Sequence, residues 1–219
     1  MKAVIYHADA HRAEKWKAFP YDKLILGMKE NLNSYGIELI YLTLEGQPGL
    51  GDVNYFYSNL IPGEITYNRE VCFTDFLRNK AEDNEQYWFS EADVRLRNPF
   101  PLLEENVDAA FVVNTIEKRF IPPWRLAKKS AAKIFEQALS YYTTLKDWDG
   151  DTESWGQLYR EMGYPEVGTV ISYNNLQIES RPYKPYNMSS SHYCAHYKAK
   201  NKQFLLERND LFINPEYKK

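Results

Sequence analysis

The sequence predicts an α/β fold with a mostly parallel central sheet flanked by helices, and three observations predict it. The chain opens with an apolar strand, continues with a helical stripe and returns to an apolar strand, which is a βαβ unit and implies a parallel pair. Tyr87-Trp88-Phe89 then forms an uninterrupted run of strand formers, as expected for a strand buried on both faces. That strand leads directly into two carboxylates, Glu91 and Asp93, separated by the small Ala92. Ligands bind at the carboxyl edge of such sheets.

Each element follows in order. Residues 1–8 read as the first strand, and the small residues Ala8, Asp9 and Ala10 just past it let a ligand approach the backbone. Leu24, Ile25, Met28 and Leu32 give residues 21–35 a helical period, and Gly36 stops the helix. Residues 37–44 form the second strand, and Tyr55-Phe56-Tyr57 suggests a short third one within a Gly- and Pro-punctuated stretch. Residues 66–79 carry a stripe of Val71, Phe73, Phe76 and Leu77, with Arg69 and Arg78 on the polar side. After the 87–89 strand, residues 99–105 read as a turn or short helix and 107–114 as another buried strand. Residues 124–145 read as the longest helix, started by Pro122-Pro123, with Lys128, Lys129 and Lys133 on one solvated face. An acid cluster from 147 to 157 precedes a helix over 154–163, residues 167–173 form a late strand, and 174–191 read as loop.

Composition excludes several classes. The net charge of −3 gives no global field that attracts nucleic acid, although basic clusters occur at 125–133, 181–184 and 198–202. No apolar run reaches membrane-spanning length. Cys72 and Cys194 lack metal spacing and read as reduced thiols in a cytoplasmic protein. The chain reads as one domain over 1–219.

Four places carry chemistry. Glu91 and Asp93 at a strand end offer oxygen ligands to a hard divalent cation, Mg²⁺ or Mn²⁺, which usually shares its shell with substrate phosphates; the structural alternative is a solvated strand end. Asp9 suits a ribose or base contact, or a turn. Arg69 suits a phosphate or base contact, or a plain surface role. Near the end, His196 followed by lysines can place a metal ligand and a phosphate clamp together, or form a basic turn. A second acid pair, Asp149-Gly150-Asp151, follows a helix and not a buried strand, so it ranks below Glu91 and Asp93 as a metal site; acids entering the first turn of the next helix also favour its dipole.

Taken together these pieces resemble a GT-A glycosyltransferase, a family built on one Rossmann-like domain. Glu91-Ala92-Asp93 is similar to the family's Asp-x-Asp signature just past a buried strand. His196 and Lys202 match the late His-x-x-Gly-x-x-Lys of retaining members related to glycogenin and the lipopolysaccharide galactosyltransferases. Glu91 stands where the family has the first aspartate, and Ala199 where it has glycine.

The resemblance implies a nucleotide-diphosphate sugar donor, UDP in first place, and a hydroxyl acceptor. It implies Mn²⁺ or Mg²⁺ on Asp93, His196 and Glu91, with ribose or water as the other partners open to Glu91. Ala8, Asp9 and Ala10 would line the nucleoside, with Arg69, Glu91, Ala92 and Lys202 completing the donor site and Lys202 on the phosphates. Asp151 and Glu153 would face the sugar or acceptor as catalytic residues, and the histidine motif implies retention of configuration. Residues 1–115 would form the nucleotide-binding half and 116–219 the acceptor half. The acceptor is open between a hydroxymethylated base in phage DNA, tracked by Lys128, Lys129, Lys133, Arg181 and Lys184, and a saccharide. A catalytically silent nucleotide- or glycan-binding module is the alternative, which the glutamate at 91 permits.

Overall fold

The computed structural model describes residues 1–8, 19–142, 150–198 and 201–217. Asp9, Ala10, His11, Asp149 and Ala199 lie outside these residues. The strands are β1 (Lys2–Tyr6), β2 (Leu39–Leu44), β3 (Val53–Tyr57), β4 (Tyr87–Ser90), β5 (Val94–Leu96), β6 (Ala109–Asn114), β7 (Arg119–Ala127), β8 (Val170–Tyr173), β9 (Leu176–Pro182) and β10 (Cys194–His196). The helices are α1 (Tyr21–Asn33), α2 (Ile65–Asn79), α3 (Ala132–Ser140), α4 (Gly150–Glu161) and α5 (Lys202–Glu207).

Eight strands form one sheet in the order β3-β2-β1-β4-β7-β6-β9-β8. The first four are parallel neighbours, and β6 and β9 are also parallel, while β7 and β8 run against the rest. The sheet is therefore mostly parallel, as the sequence predicts. Alternation along β1 sends Ala3 and Ile5 to one face and Val4 and Tyr6 to the other. The first face packs on α1, through Leu24, Ile25, Met28 and Leu32, and on Leu205 of α5. The second packs on α2, α3 and α4, through Phe73, Phe76, Phe135 and Trp155. Gly36 ends α1 at φ +71°, and the turn closes with Ile37 N–H donating to Leu32 O at 3.1 Å.

Two regions depart from the sequence reading. Pro122 and Pro123 do not start a helix; they lie inside β7, and the helix begins only at Ala132. The β6–β7 ladder shifts register between Phe111 and Val113, opposite the proline pair. A proline lacks the N–H that a ladder needs, and a bulge asks for none. The 174–191 stretch is not all loop, because β9 runs through it. Asn174 and Asn175 adopt φ +51° and +63° and turn β8 back into β9 as a two-residue hairpin. Residues 99–105 form no helix.

Outside the large sheet, β5 pairs antiparallel with β10 alone. The free edge of β5 is filled by a side chain: Asn31 of α1 donates to Leu96 O and accepts from Leu96 N–H, each at 2.8 Å. Arg95 is fully buried beside it and donates to Ala92 O, Val94 O and Leu24 O, at 2.8, 2.9 and 2.8 Å. These bonds lock the segment between β4 and β5, where the two acids lie.

Candidate active site

β1 is where the strand order reverses, with β2 on one side and β4 on the other. Crevices at such points open at the carboxyl ends of the strands. Here a cleft of about 460 Å³ opens between Tyr6 and His7 at the end of β1, Glu91 to Asp93 at the end of β4, and Ile121 to Pro123 in β7. Asp151 of α4 and Lys202 of α5 close its sides.

The β5–β10 ladder builds the polar centre. His196 is the register partner of Val94, and Tyr197 N–H donates to Asp93 O at 3.0 Å. The His196 imidazole therefore lands beside the two acids. Its Nε2 lies 3.3 Å from Asp93 Oδ1 and 3.5 Å from Glu91 Oε2. One ligand atom from each of Glu91, Asp93 and His196 lies within 4.8 Å of the other two. Asp93 Oδ1 and His196 Nε2 are buried and, apart from these ion-pair contacts, make no hydrogen bond to the described residues. Two carboxylate oxygens and an imidazole nitrogen this close, on buried or half-buried side chains, form a donor set that fits a divalent ion. The imidazole nitrogen suits Mn²⁺ better than Mg²⁺.

Partners hold this trio from behind. Asn187 Oδ1 lies 2.7 Å from His196 Nδ1, which assigns the Nδ1 proton to that bond and leaves Nε2 facing the carboxylates. Lys202 Nζ lies 2.9 Å from Asp93 Oδ2 and 3.0 Å from the Tyr21 hydroxyl. Tyr21 in turn stacks on His7, with ring centroids 4.4 Å apart.

Charges on these groups follow from burial and from one another. Burial disfavours the ionised Asp93, but Lys202 and His196 outweigh it and hold the carboxyl well below its usual range. Burial also raises Glu91, yet Arg69 and His196 hold it low. His196 goes the other way: burial lowers it, but Asp93 and Glu91 raise it above its ordinary value. Nε2 therefore takes either a proton or a cation.

A second polar group backs the first. Arg69 is buried, not on a solvated helix face, and its guanidinium donates to Glu91 and Asp151 through its two terminal nitrogens and to Glu70 at 3.2 Å. Burial raises the Asp151 carboxyl, with Arg69 opposing the shift. Gly150 permits this start of α4, since a Cβ there would meet the Tyr142 ring at 2.5 Å.

Among the residues picked from sequence, the fold thus brings Arg69, Glu91, Ala92, Asp93, Asp151, His196 and Lys202 to one cleft. It does not bring Glu153, which is exposed on α4 and lines no part of the cleft. Ala8 is fully buried in the core beneath α2, while its neighbours Tyr6 and His7 face the cleft. The predicted basic track is not one surface. Arg181 is buried and donates to Pro101 O at 2.6 Å, and Arg125 is buried among aromatic rings. Lys128 caps the carbonyls of Glu104 and Glu105, Lys129 pairs with Asp83, and Lys133 and Lys184 are exposed. Sequence reasoning missed Asn187, Tyr21, Glu70 and Arg95. Arg95 alone left a signal, a charge between two apolar residues in a short strand.

No family model matches the chain, and no curated protein matches it. Solved structures do. One is a glycosyltransferase involved in the glycosylation of the major capsid of PBCV-1, with a TM-score of 0.56 and 11% identity over 96% of this chain and 100% of that one. Another is an active-site mutant of LgtC, with a TM-score of 0.52 and 11% identity over 100% of this chain and 99% of that one. Strand order, switch-point cleft and these overlays agree: the chain is built on the GT-A glycosyltransferase fold.

Proposed function

We propose that this protein moves a sugar from a nucleotide-diphosphate donor, a UDP-sugar in first place, to a hydroxyl of a saccharide, with a divalent cation and with retention of configuration. The observation that carries the reading is the trio of Glu91, Asp93 and His196, with the buried Asp93 Oδ1 and His196 Nε2 facing each other at 3.3 Å, in a switch-point cleft that also holds Lys202. Asp93, His196 and Glu91 would hold Mn²⁺ or Mg²⁺, which when bound supplies positive charge to the leaving diphosphate.

The chain's own groups do the rest. Lys202 leaves Asp93 to meet the phosphates, where negative charge grows as the glycosidic bond breaks. Asn187 keeps His196 in one tautomer. Arg69 fixes the carboxylates of Glu91 and Asp151, and Asp151 faces the sugar or the acceptor. His7 and Tyr21, stacked at the end of β1, offer a flat wall for the nucleoside. Glu153 has no role in this scheme. The donor half is about 1–115, the acceptor half about 116–219, and the second half lends His196 and Lys202 to the first. Burial of Arg181 and the carbonyl bonds of Lys128 favour a saccharide over a DNA base. Two free buried cysteines suit a cytoplasmic setting, and no described helix is long and apolar enough to cross a membrane.

Calorimetry with UDP, with and without Mn²⁺, followed by a hydrolysis screen of nucleotide sugars, tests the reading. Cation-dependent binding with turnover of one donor supports it. Binding without turnover of any donor would leave a silent nucleotide module, which the hold of Arg69 on Glu91 favours.

A further inference from the structure

The cleft is backed by an ion network that reaches past the groups able to touch a ligand. Glu70, on α2 next to Arg69, is 2% exposed and lines no part of the cleft. Its carboxylate is nevertheless fully used. Arg125 of β7 donates to Oε2 at 2.5 Å and to Oε1 at 3.0 Å, Trp155 Nε1 donates to Oε2 at 3.0 Å, and Arg69 Nε donates to Oε1 at 3.2 Å. Arg125 in turn packs against Trp155, Phe73 and Phe135, at 4.7, 5.1 and 5.4 Å from their ring centroids. A guanidinium is a rigid planar fork. Once Nε of Arg69 is fixed by Glu70, the directions of its two terminal nitrogens are fixed as well. Those two nitrogens hold Glu91, at the end of β4, and Asp151, at the start of α4.

We infer that Glu70 is a positioning residue for this site: held by Arg125 and Trp155, it orients the Arg69 fork, which sets Glu91 and Asp151 at fixed places in the cleft. The network holds two cations and three carboxylates, so a loose Arg69 would be free to follow either cleft acid. Glu70 is what prevents that. The catalytic consequence rests on the transfer reading above, while the orientation itself does not.

The test uses the full chain and three variants. Glu70→Gln leaves Arg125 buried without a carboxylate and can unfold the protein. Glu70→Gln with Arg125→Met removes both charges and refills the aromatic cage with an apolar side chain. Trp155→Phe deletes one hydrogen bond to Glu70 without changing charge. The first readout is the Nε–H resonance of Arg69, assigned by its loss in Arg69→Lys. In the parent it should be sharp and slow to exchange with water; in the double variant it should average and exchange fast. The second is donor hydrolysis, in which kcat should fall about tenfold with donor KM unchanged, the pattern of misplaced groups. A folded double variant with the parental Arg69 resonance and turnover overturns the inference. If neither Glu70 variant folds, Trp155→Phe decides by the same resonance. A parent that hydrolyses no donor sinks the transfer reading only, and the resonance still decides this one.

Discussion

Asp93 and His196, about a hundred residues apart in sequence, meet because His196 pairs directly with Val94, the residue after Asp93, across the β5–β10 ladder. The ladder is three residues long on each side, and it is the whole of the second sheet. Their proximity therefore depends on backbone register, and the proposal that they share a cation can be tested through the side chains.

Asp93→Asn and His196→Ala should each lower Mn²⁺ affinity by about a hundredfold, at least the upper end of what losing an outer partner costs. Combining them should add little in donor turnover, because residues that act as one unit are not additive. Isothermal titration and a hydrolysis assay check this, with far-UV dichroism confirming the fold. Additive small effects would mean two independent residues.

The Asn187 side chain meets the imidazole on its far side, at His196 Nδ1, away from the carboxylates. Asn187→Leu should leave the melting temperature near that of the parent and weaken Mn²⁺ binding about tenfold through a mis-set tautomer. Unchanged Mn²⁺ affinity would remove Asn187 from the site.

Acid stability should report Glu70. Burial alone would raise its pKa, but Arg125, then Arg69, more than reverse this and lower it. Its contribution is complete above the unfolded value of about 4.3 and is lost as pH falls through the lower folded value. Urea midpoints measured from pH 7 down to pH 3 should drop more steeply below that value for the parent than for Glu70→Gln with Arg125→Met. Parallel curves would show that Glu70 is not linked to folding.

Gly150→Ala should destabilise by about 1–3 kcal/mol, the usual cost of overpacking. The new methyl group would meet the Tyr142 ring, which is held by a 2.6 Å bond to Thr66. Adding Tyr142→Leu should recover part of the loss in a thermal melt. A double variant that melts as low as the sum of the two singles would place the strain elsewhere.

Duplex DNA should not bind in a salt-dependent way. Two of the five basic residues are buried or bonded to carbonyls at their tips, and Lys129 is already paired. Gel mobility at low salt checks this; a retained complex whose affinity falls steeply with salt would bring back a DNA acceptor.

The parts of the fold that could be read in the sequence are those with one dominant period. The run β1, α1, β2, the stripe of α2 and the apolar run of β4 each bury one kind of face, and composition shows it. β7 was hidden by Pro122-Pro123, whose local preference for starting a helix yields to a bulge that needs no N–H. β9 was hidden because Arg181 and Glu179 look solvated, although Arg181 is buried with carbonyls as partners. Glu91, Asp93, His196 and Lys202 were legible because their residue types follow a motif. Asn187 and Tyr21 were not, since each acts on a residue that the fold brings to it, and Glu70 was not because Arg125 and Trp155, which hold it beside its neighbour Arg69, arrive only with the fold.

The separate β5–β10 ladder has a consequence for synthesis. A growing chain has laid down every described strand of the eight-stranded sheet by Pro182, whereas β5 gains its strand partner among the described residues at Cys194 and the Glu91, Asp93 and His196 trio closes at His196. Emerging from the ribosome, such a chain can set most of its core before His196 reaches the acids at 91 and 93. The register that sets His196 beside the two acids is then laid down after the main sheet, and a chain halted before Cys194 holds the sheet without the trio.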